Sequence, residues 1–259
     1  MRARDNVRGE ERATALGEAH WNPSSLPWSG NASAGLLRQE RRASRLSRAN
    51  RQMFYETASG AYPATLSHNP FPALVAPRPI AWITTVGADG TTNLAPYSHY
   101  NIVSVDPPMV MFAPSDKEGQ GSPKDTLRNV REIPEFVVNI ATWRLRELIN
   151  ASSAVLAYGD SELERCALAT APSMLVRPPR VEGVPAALEC RVFDTLRLPV
   201  GKGGRASSIV IGQVVGIHID DAMIVDGRVD ALKLAQLARL GYLEYSFVNN
   251  VFEMKRPSS

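Results

Sequence analysis

Three short stretches of this chain carry residue types that could do chemistry. Asn93-Leu94-Ala95-Pro96-Tyr97-Ser98 offers small polar groups, a proline and one aromatic ring. Ser104-Val105-Asp106-Pro107-Pro108 follows. Lys124-Asp125-Thr126-Leu127-Arg128-Asn129 then sets a lysine at a predicted helix start. These are the parts needed to hold a flat molecule that bears a phosphate. A phosphate dianion needs cations or several N–H donors. Lys124 supplies charge, the first turn of a helix supplies N–H groups, and Thr126 adds a hydroxyl. A strand kinked at Pro96 can offer its backbone groups to the polar edge of a ring. Asn93 and Ser98 can add side-chain contacts, and Tyr97 can stack. The plainer reading is a helix start with a solvated lysine, beside a β-bulge with a core tyrosine.

Other constellations are weaker. Ser98 and His99 are adjacent, and neighbours in a strand point to opposite faces, so they do not form a nucleophile and base. His218 lies in Ile217-His218-Ile219-Asp220 and reads as a titrating group near a ligand or as a satisfied strand histidine. His20 and His68 are too scattered for a metal site, and none is expected. Cys166 and Cys190 make neither metal spacing nor a disulfide framework, and read as two reduced thiols in a cytoplasmic protein. No glycine-rich strand-to-helix fingerprint is present, which argues against a Rossmann-type cofactor site.

The elements that must position these residues read mainly as strands. Ile80 to Val86 is β-rich and ends at Gly87-Ala88-Asp89-Gly90, an Asp-Gly hairpin signal. Thr91 to Ser104 is expected to return as a second strand interrupted by Pro96, and Met109 to Phe112 as another. Gly119 to Gly121 is a loop. Ser122 is the expected N-cap of the next helix, with Pro123 at its first position. Glu135 to Ala141 reads as a strand, and Thr142 as the cap of a helix over Trp143 to Ser153, with Trp143 packed on the sheet. Strands are expected at Ala187–Leu198, Ile209–Ile219 and Glu244–Met254. A short helix is expected near Ala231–Leu240, ending at Gly241. Strands at short spacing with hairpin turns predict an antiparallel barrel with peripheral helices rather than a doubly wound sheet.

Charge is distributed unevenly. The chain has 259 residues and a formal net charge of +3. Residues 1–52 hold ten arginines, no lysine and five acids, whereas residues 53–259 carry a net charge of −2. The leader lacks interleaved aromatics, a sustained apolar period and the apolar run of a secretory signal. It is read as a disordered Arg-rich extension, or as an over-long start ahead of Met53-Phe54-Tyr55-Glu56; nucleic-acid binding is not expected. No run of eighteen apolar residues occurs, so no membrane span is expected.

The chain resembles the flavin reductase-like family of FMN-binding split-barrel proteins, in its flavoredoxin-type branch. The matching segments are Ala76-Pro77-Arg78-Pro79-Ile80-Ala81-Trp82-Ile83-Thr84-Thr85, Asn93 to Ser98, Ser104 to Pro108, and Lys124-Asp125-Thr126. Glu135-Phe136-Val137-Val138-Asn139, Gly212 to Asp221, and Arg239-Leu240-Gly241 with Tyr245 and Arg256-Pro257 complete the set. The resemblance covers about Met53 to Pro257 and implies one domain over residues 53–259, a split β-barrel. It implies a homodimer binding FMN near the subunit interface. The implied cofactor-binding residues are Thr84, Thr85, Asn93, Ala95, Pro96, Tyr97, Ser98, Ser115, Lys124, Asp125, Thr126 and Asn129, with no catalytic side chain. It further implies an NAD(P)H-dependent flavin reductase, with NADH or NADPH as donor and an oxygenase or other electron acceptor as partner. One departure is that Gly201-Lys202-Gly203-Gly204-Arg205-Ala206-Ser207-Ser208 lacks the Gly-Asp-His segment that many short flavin reductases associate with nicotinamide. A non-enzymatic FMN electron carrier, reduced by another protein, is therefore the alternative.

Overall fold

The computed structural model describes residues 53–116, 123–154 and 160–257. The arginine-rich leader, Ser122 and the Gly119–Gly121 loop lie outside the described residues. The chain divides into Met1–Tyr55 and Glu56–Ser259, and the fold described is that of the second unit.

A short helix α1 (Phe71–Leu74) precedes strands β1 (Arg78–Pro79), β2 (Ala81–Val86), β3 (Thr92–Tyr97), β4 (Tyr100–Val105) and β5 (Pro108–Phe112). Helix α2 (Asp125–Glu132) leads into β6 (Glu135–Ile140), followed by α3 (Arg146–Ala151) and α4 (Glu162–Arg165). Short strands β7 (Thr170–Ala171) and β8 (Arg180–Val181) come before the long ribbon β9 (Ala186–Arg197) and β10 (Ser208–Ile219). Strands β11 (Ile224–Val225) and β12 (Arg228–Val229), helix α5 (Ala231–Leu234), and strands β13 (Leu237–Arg239) and β14 (Tyr245–Phe247) close the chain. Seven strands form one sheet in the order β3-β2-β6-β9-β10-β5-β4, with β1-β13-β14 as a smaller sheet. Neighbours in both are antiparallel. Among the described residues, no helix is long and apolar enough to cross a membrane.

Strand alternation sorts the core into two clusters. Along β2, Ala81 and Ile83 point to one side, where they meet Phe112, Leu127, Phe136 and Val210. Ile80 and Trp82 point to the other, with Leu94, Leu163, Val181 and Leu237. The Trp82 ring is fully buried, and its Nε1–H donates to Ser152 Oγ at 2.8 Å. Each such ring or large aliphatic side chain contributes about 1.5–3 kcal/mol through its burial. Phe136 needs Gly212 opposite it: a Cβ there would lie 2.4 Å from the Phe136 Cζ.

Several boundaries differ from the sequence expectations. The 87–90 turn forms, with Gly90 at φ 85° and its N–H on the Gly87 carbonyl. The break after it falls at Ser98-His99, not at Pro96, and β3 and β4 lie at opposite edges of the large sheet. Pro96 stays within β3 because its missing N–H faces away from the ladder. Helix α2 begins at Asp125 with Lys124 as its N-cap, so Pro123 lies outside it. The segment after Thr142 opens as a 3-10 turn, Trp143–Leu145, and Thr142 makes no side-chain cap bond. Trp143 stacks on Phe247 at 4.6 Å rather than sealing a helix onto the large sheet. The expected helix to Leu240 stops at Leu234, because Ala235 turns left-handed at φ 45°; Leu237–Arg239 then pairs as β13. The expected strand at Glu244–Met254 is only Tyr245–Phe247.

Candidate functional site: the edge of strand β3

Strand β3 is an edge strand, and its register decides which groups it offers. Asn93, Ala95 and Tyr97 pair with Thr85, Ile83 and Ala81 of β2. Alternation sends the side chains of these three to one face and those of Leu94, Pro96 and Ser98 to the other. The outward backbone of the first half of β3 is already covered. Glu162 of α4 accepts from the Leu94 N–H at 3.1 Å, and the Ser161 hydroxyl donates to the Thr92 carbonyl at 3.4 Å. The second half, around Pro96 and Ser98, borders a cavity instead.

The inner face is a closed polar network. The Tyr97 hydroxyl donates to Thr126 Oγ1 at 2.8 Å, and that hydroxyl donates to Asn93 Oδ1 at 2.7 Å. Asn93 Nδ2 donates to both Glu162 carboxylate oxygens, at 3.1 and 2.9 Å. Burial pushes the Tyr97 phenol well above its ordinary pKa, so it remains a donor. Burial also raises Glu162, with the charge of Asp125 adding to it, while the bonds from Leu94 and Asn93 act in the opposite sense. Asn129 Nδ2 donates to Thr85 Oγ1 at 3.1 Å; Asn129 is 3% exposed, and its Oδ1 has no partner among the described residues. A recess of about 20 Å³, lined by Asp89, Asn93, Asp125, Asn129 and Asp160, lies beside this network. That volume suits one water molecule.

Lys124 sits at the mouth of α2. Its carbonyl accepts from the N–H groups of Leu127 and Arg128, and its Nζ stands 5.7 Å from the centre of the Tyr97 ring. Asp125 occupies the first turn, where a carboxylate complements the helix dipole.

The outer face of β3 looks onto a cavity of about 560 Å³. Pro96 and Ser98 form one wall, and Arg78, Arg239, Tyr242 and Tyr245 form much of the rest. Arg78 holds the wall together by donating to the carbonyls of Pro72, Val75 and Leu240. Burial, and then the charge of Arg239, lowers its pKa. Burial and the Arg78 charge likewise lower that of His99.

The sequence-derived site residues therefore separate. Thr85, Asn93, Tyr97, Thr126 and Asn129 meet in the inner network, with Ala95 packed against the core beside them and Lys124 and Asp125 at its rim. Pro96 and Ser98 face the outer cavity. Thr84 donates to the Pro179 carbonyl at 2.6 Å. Ser115 shares a 3.0 Å bond with Ser207 at the base of the β9–β10 ribbon. Sequence reasoning passed over Glu162, which sits in the charged run Asp160-Ser161-Glu162-Leu163-Glu164-Arg165, where nothing local sets it apart from the neighbouring acids. It also left Arg239 and Tyr242 without a role. His218 is held by Glu189 at 2.6 Å, a fully buried carboxylate that also accepts from the N–H groups of Met174 and Leu175.

The model of the flavin reductase like domain matches residues 75–233. An uncharacterised protein of Halalkalibacterium halodurans is 37% identical over 185 residues, which span 71% of this chain and 88% of that protein. Nitrilotriacetate monooxygenase component B from Bacillus cereus superposes with a TM-score of 0.70 at 29% identity, covering 78% of this chain and 100% of that one. A protein of Shewanella frigidimarina NCIMB 400, described as a flavin reductase with split barrel domain, has a TM-score of 0.67 at 19% identity, over 80% of this chain and 100% of its own. The mainly β fold is thus a split barrel, and the chain belongs to the flavin reductase-like family.

Proposed function

We propose that this protein binds FMN along the free edge of β3 and acts as a flavin-dependent oxidoreductase, reduced by NADH or NADPH and oxidised by an acceptor. The observation that carries the reading is the register of β3. It turns Pro96 and Ser98 to an open edge beside a cavity large enough for a ring system, while Lys124 stands across the same strand. The residues fit the cofactor by chemistry. The edge supplies backbone acceptors and a hydroxyl for the polar rim of the ring, and Lys124 with the first turn of α2 supplies charge and N–H groups for a phosphate. The inner network supports this site without lending all its groups to it. Tyr97, Thr126, Asn93 and Glu162 satisfy one another and so fix β3 against α2 and α4.

Bound along this edge, FMN would supply hydride-accepting and electron-transferring chemistry. The chain's own part is to hold the ring in place and to keep water away from one face. No side-chain acid or base is required for that. In the second reading, the protein is an FMN electron carrier reduced by another protein. The 201–208 segment favours it, since it lacks Gly-Asp-His and its Arg205 donates to the Asp116 carbonyl at 3.4 Å. Stopped-flow mixing of the FMN-loaded protein with NADH or NADPH separates the two: rapid bleaching supports the reductase, and no bleaching supports the carrier.

The proposed assembly is a homodimer in the cytoplasm. Strand β4 is the other edge of the large sheet, and Val105 on it is 80% exposed, with Phe193 on β9 71% exposed. Exposed apolar side chains on the edge strand β4 and on the long strand β9, inside the sheet, are surface that an interface would cover. A second copy of this chain is the proposed occupant. An acceptor such as an oxygenase fits the likeness to a monooxygenase component B.

A further inference from the structure

We propose that the small recess between the 87–90 turn, helix α2 and the segment leading into α4 holds one alkali-metal cation, sodium or potassium. The recess shares no lining residue with the cavity outside β3, and the assignment does not depend on the flavin reading.

The direction of the inner network carries it. Asn93 Nδ2 donates to the Glu162 carboxylate, which fixes the Asn93 amide with Oδ1 turned the other way. That oxygen accepts from Thr126 Oγ1 at 2.7 Å and from Thr85 Oγ1 at 3.5 Å. Thr85 has then given its only hydrogen, so Asn129 must meet it with Nδ2, at 3.1 Å. The Asn129 Oδ1 is left facing away from the network. It is buried on a residue 3% exposed and has no partner among the described residues. A buried acceptor in that position is costly unless something donates to it or is coordinated by it. The rest of the lining supplies more oxygen. Asp89 Oδ1 and Asn129 Oδ1 lie 2.8 and 3.5 Å from the point where a Cβ on Gly87 would stand, so both face one gap that the glycine keeps open. Asp125, four residues before Asn129 on α2, and Asp160 add carboxylates. No lysine or arginine among the described residues lines the recess. Its volume of about 20 Å³ admits one particle of water size. A water has two hydrogens to give, fewer than the oxygens presented, whereas a hard cation satisfies them together. Burial pushes up the Tyr97 phenol and the Glu162 carboxyl, and the charge of Asp125 adds to both, a negative field that a cation offsets. Among the described residues, no three Asp, Glu, His or Cys side chains are grouped as a metal site, so the dense carboxylate shell of a calcium ion is not built here. Amide oxygen with dispersed carboxylates suits a single positive charge instead. Such an ion ties the 87–90 turn to α2 and to the segment before α4.

The test is a series of thermal melts of the full-length protein at fixed ionic strength, with sodium, potassium or tetramethylammonium chloride as the salt. Tetramethylammonium is too large for the recess and sets the baseline. Sodium or potassium should raise the midpoint saturably, by about 3–6 °C at roughly ten times the dissociation constant. The ion that saturates at the lower concentration is the one the recess selects. Asp89→Asn keeps the oxygen that accepts the Thr91 N–H at 2.9 Å and removes only the charge. It should raise the saturating concentration about tenfold or more. Gly87→Ala puts a methyl group into the gap and should abolish the response. Should Gly87→Ala not fold, Asp160→Asn, at an exposed position, takes its place and should also weaken saturation. Equal midpoints in the three salts would leave only an ordered water in the recess and overturn the proposal. A saturable rise that neither Asp89→Asn nor the second variant alters would put the ion elsewhere and overturn it too. A response to micromolar calcium, with none to sodium or potassium, would assign a divalent ion and overturn it as well.

Discussion

Lys124 separates a binding role from a scaffolding one. Its ammonium group stands near the Tyr97 ring at the mouth of α2. If it meets the phosphate, Lys124→Ala removes a charge-assisted contact that costs about 1.5–3 kcal/mol. FMN should then bind roughly 10- to 150-fold more weakly. Riboflavin carries no phosphate, so its affinity should hold in parallel fluorescence titrations. Equal losses for both ligands would mean that Lys124 shapes the site instead. Glu162 yields a second residue-level prediction. Burial raises its folded pKa above the unfolded value. The folded state therefore keeps the proton to higher pH than the unfolded chain does. That contribution is present at low pH and is lost as pH climbs through the raised value. Urea-denaturation stability of wild type relative to Glu162→Gln should thus fall with rising pH across the carboxylate range, then level off. A difference that grows with pH would contradict the assigned cause.

Among the elements, the β9–β10 ribbon carries the barrel, and Gly212 is where it meets β6. Gly212→Ala would drive a methyl group into the Phe136 ring, which is fully buried and edge-on to Phe112 at 5.1 Å. Overpacking of this kind costs about 1–3 kcal/mol. Thermal melts should show a lowered midpoint, and an unchanged midpoint would mean that the ring has room to move. Much of this layer was legible beforehand. The hairpin at 87–90 and the long strands expected at 187–198 and 209–219, found at 186–197 and 208–219, follow from turn chemistry and alternation. The boundary between β3 and β4 was not legible, because Thr91 to Ser104 is β-rich throughout and only tertiary pairing sends its two halves to opposite edges. Nor was the end of α5: Ala235 gives no local sign of a left-handed turn, and the pairing of Leu237–Arg239 with β1 and β14 decides it. The candidate site was half legible. Its residue types pointed to a cofactor edge, but the split between the two faces of β3 appears only with the register. Nothing local separates Glu162 from Asp160 and Glu164; only the packing of α4 against that edge does.

At the scale of the whole molecule, the exposed apolar side chains of β4 and β9 are the feature a lone chain explains least. Val105 and Phe193 should lie within a contact between two copies. Sedimentation velocity should give a dimer for the full-length protein, and Val105→Asp with Phe193→Asp should shift it to monomer. A wild-type monomer would remove the second copy as the occupant of that surface. The central claim is FMN binding at β3, and equilibrium titration of flavin-free, full-length protein with FMN and with FAD tests it most directly. Saturable binding of one FMN per chain, tighter than FAD and weakened by Lys124→Ala, is the expected result. No detectable FMN binding by a folded protein would contradict it.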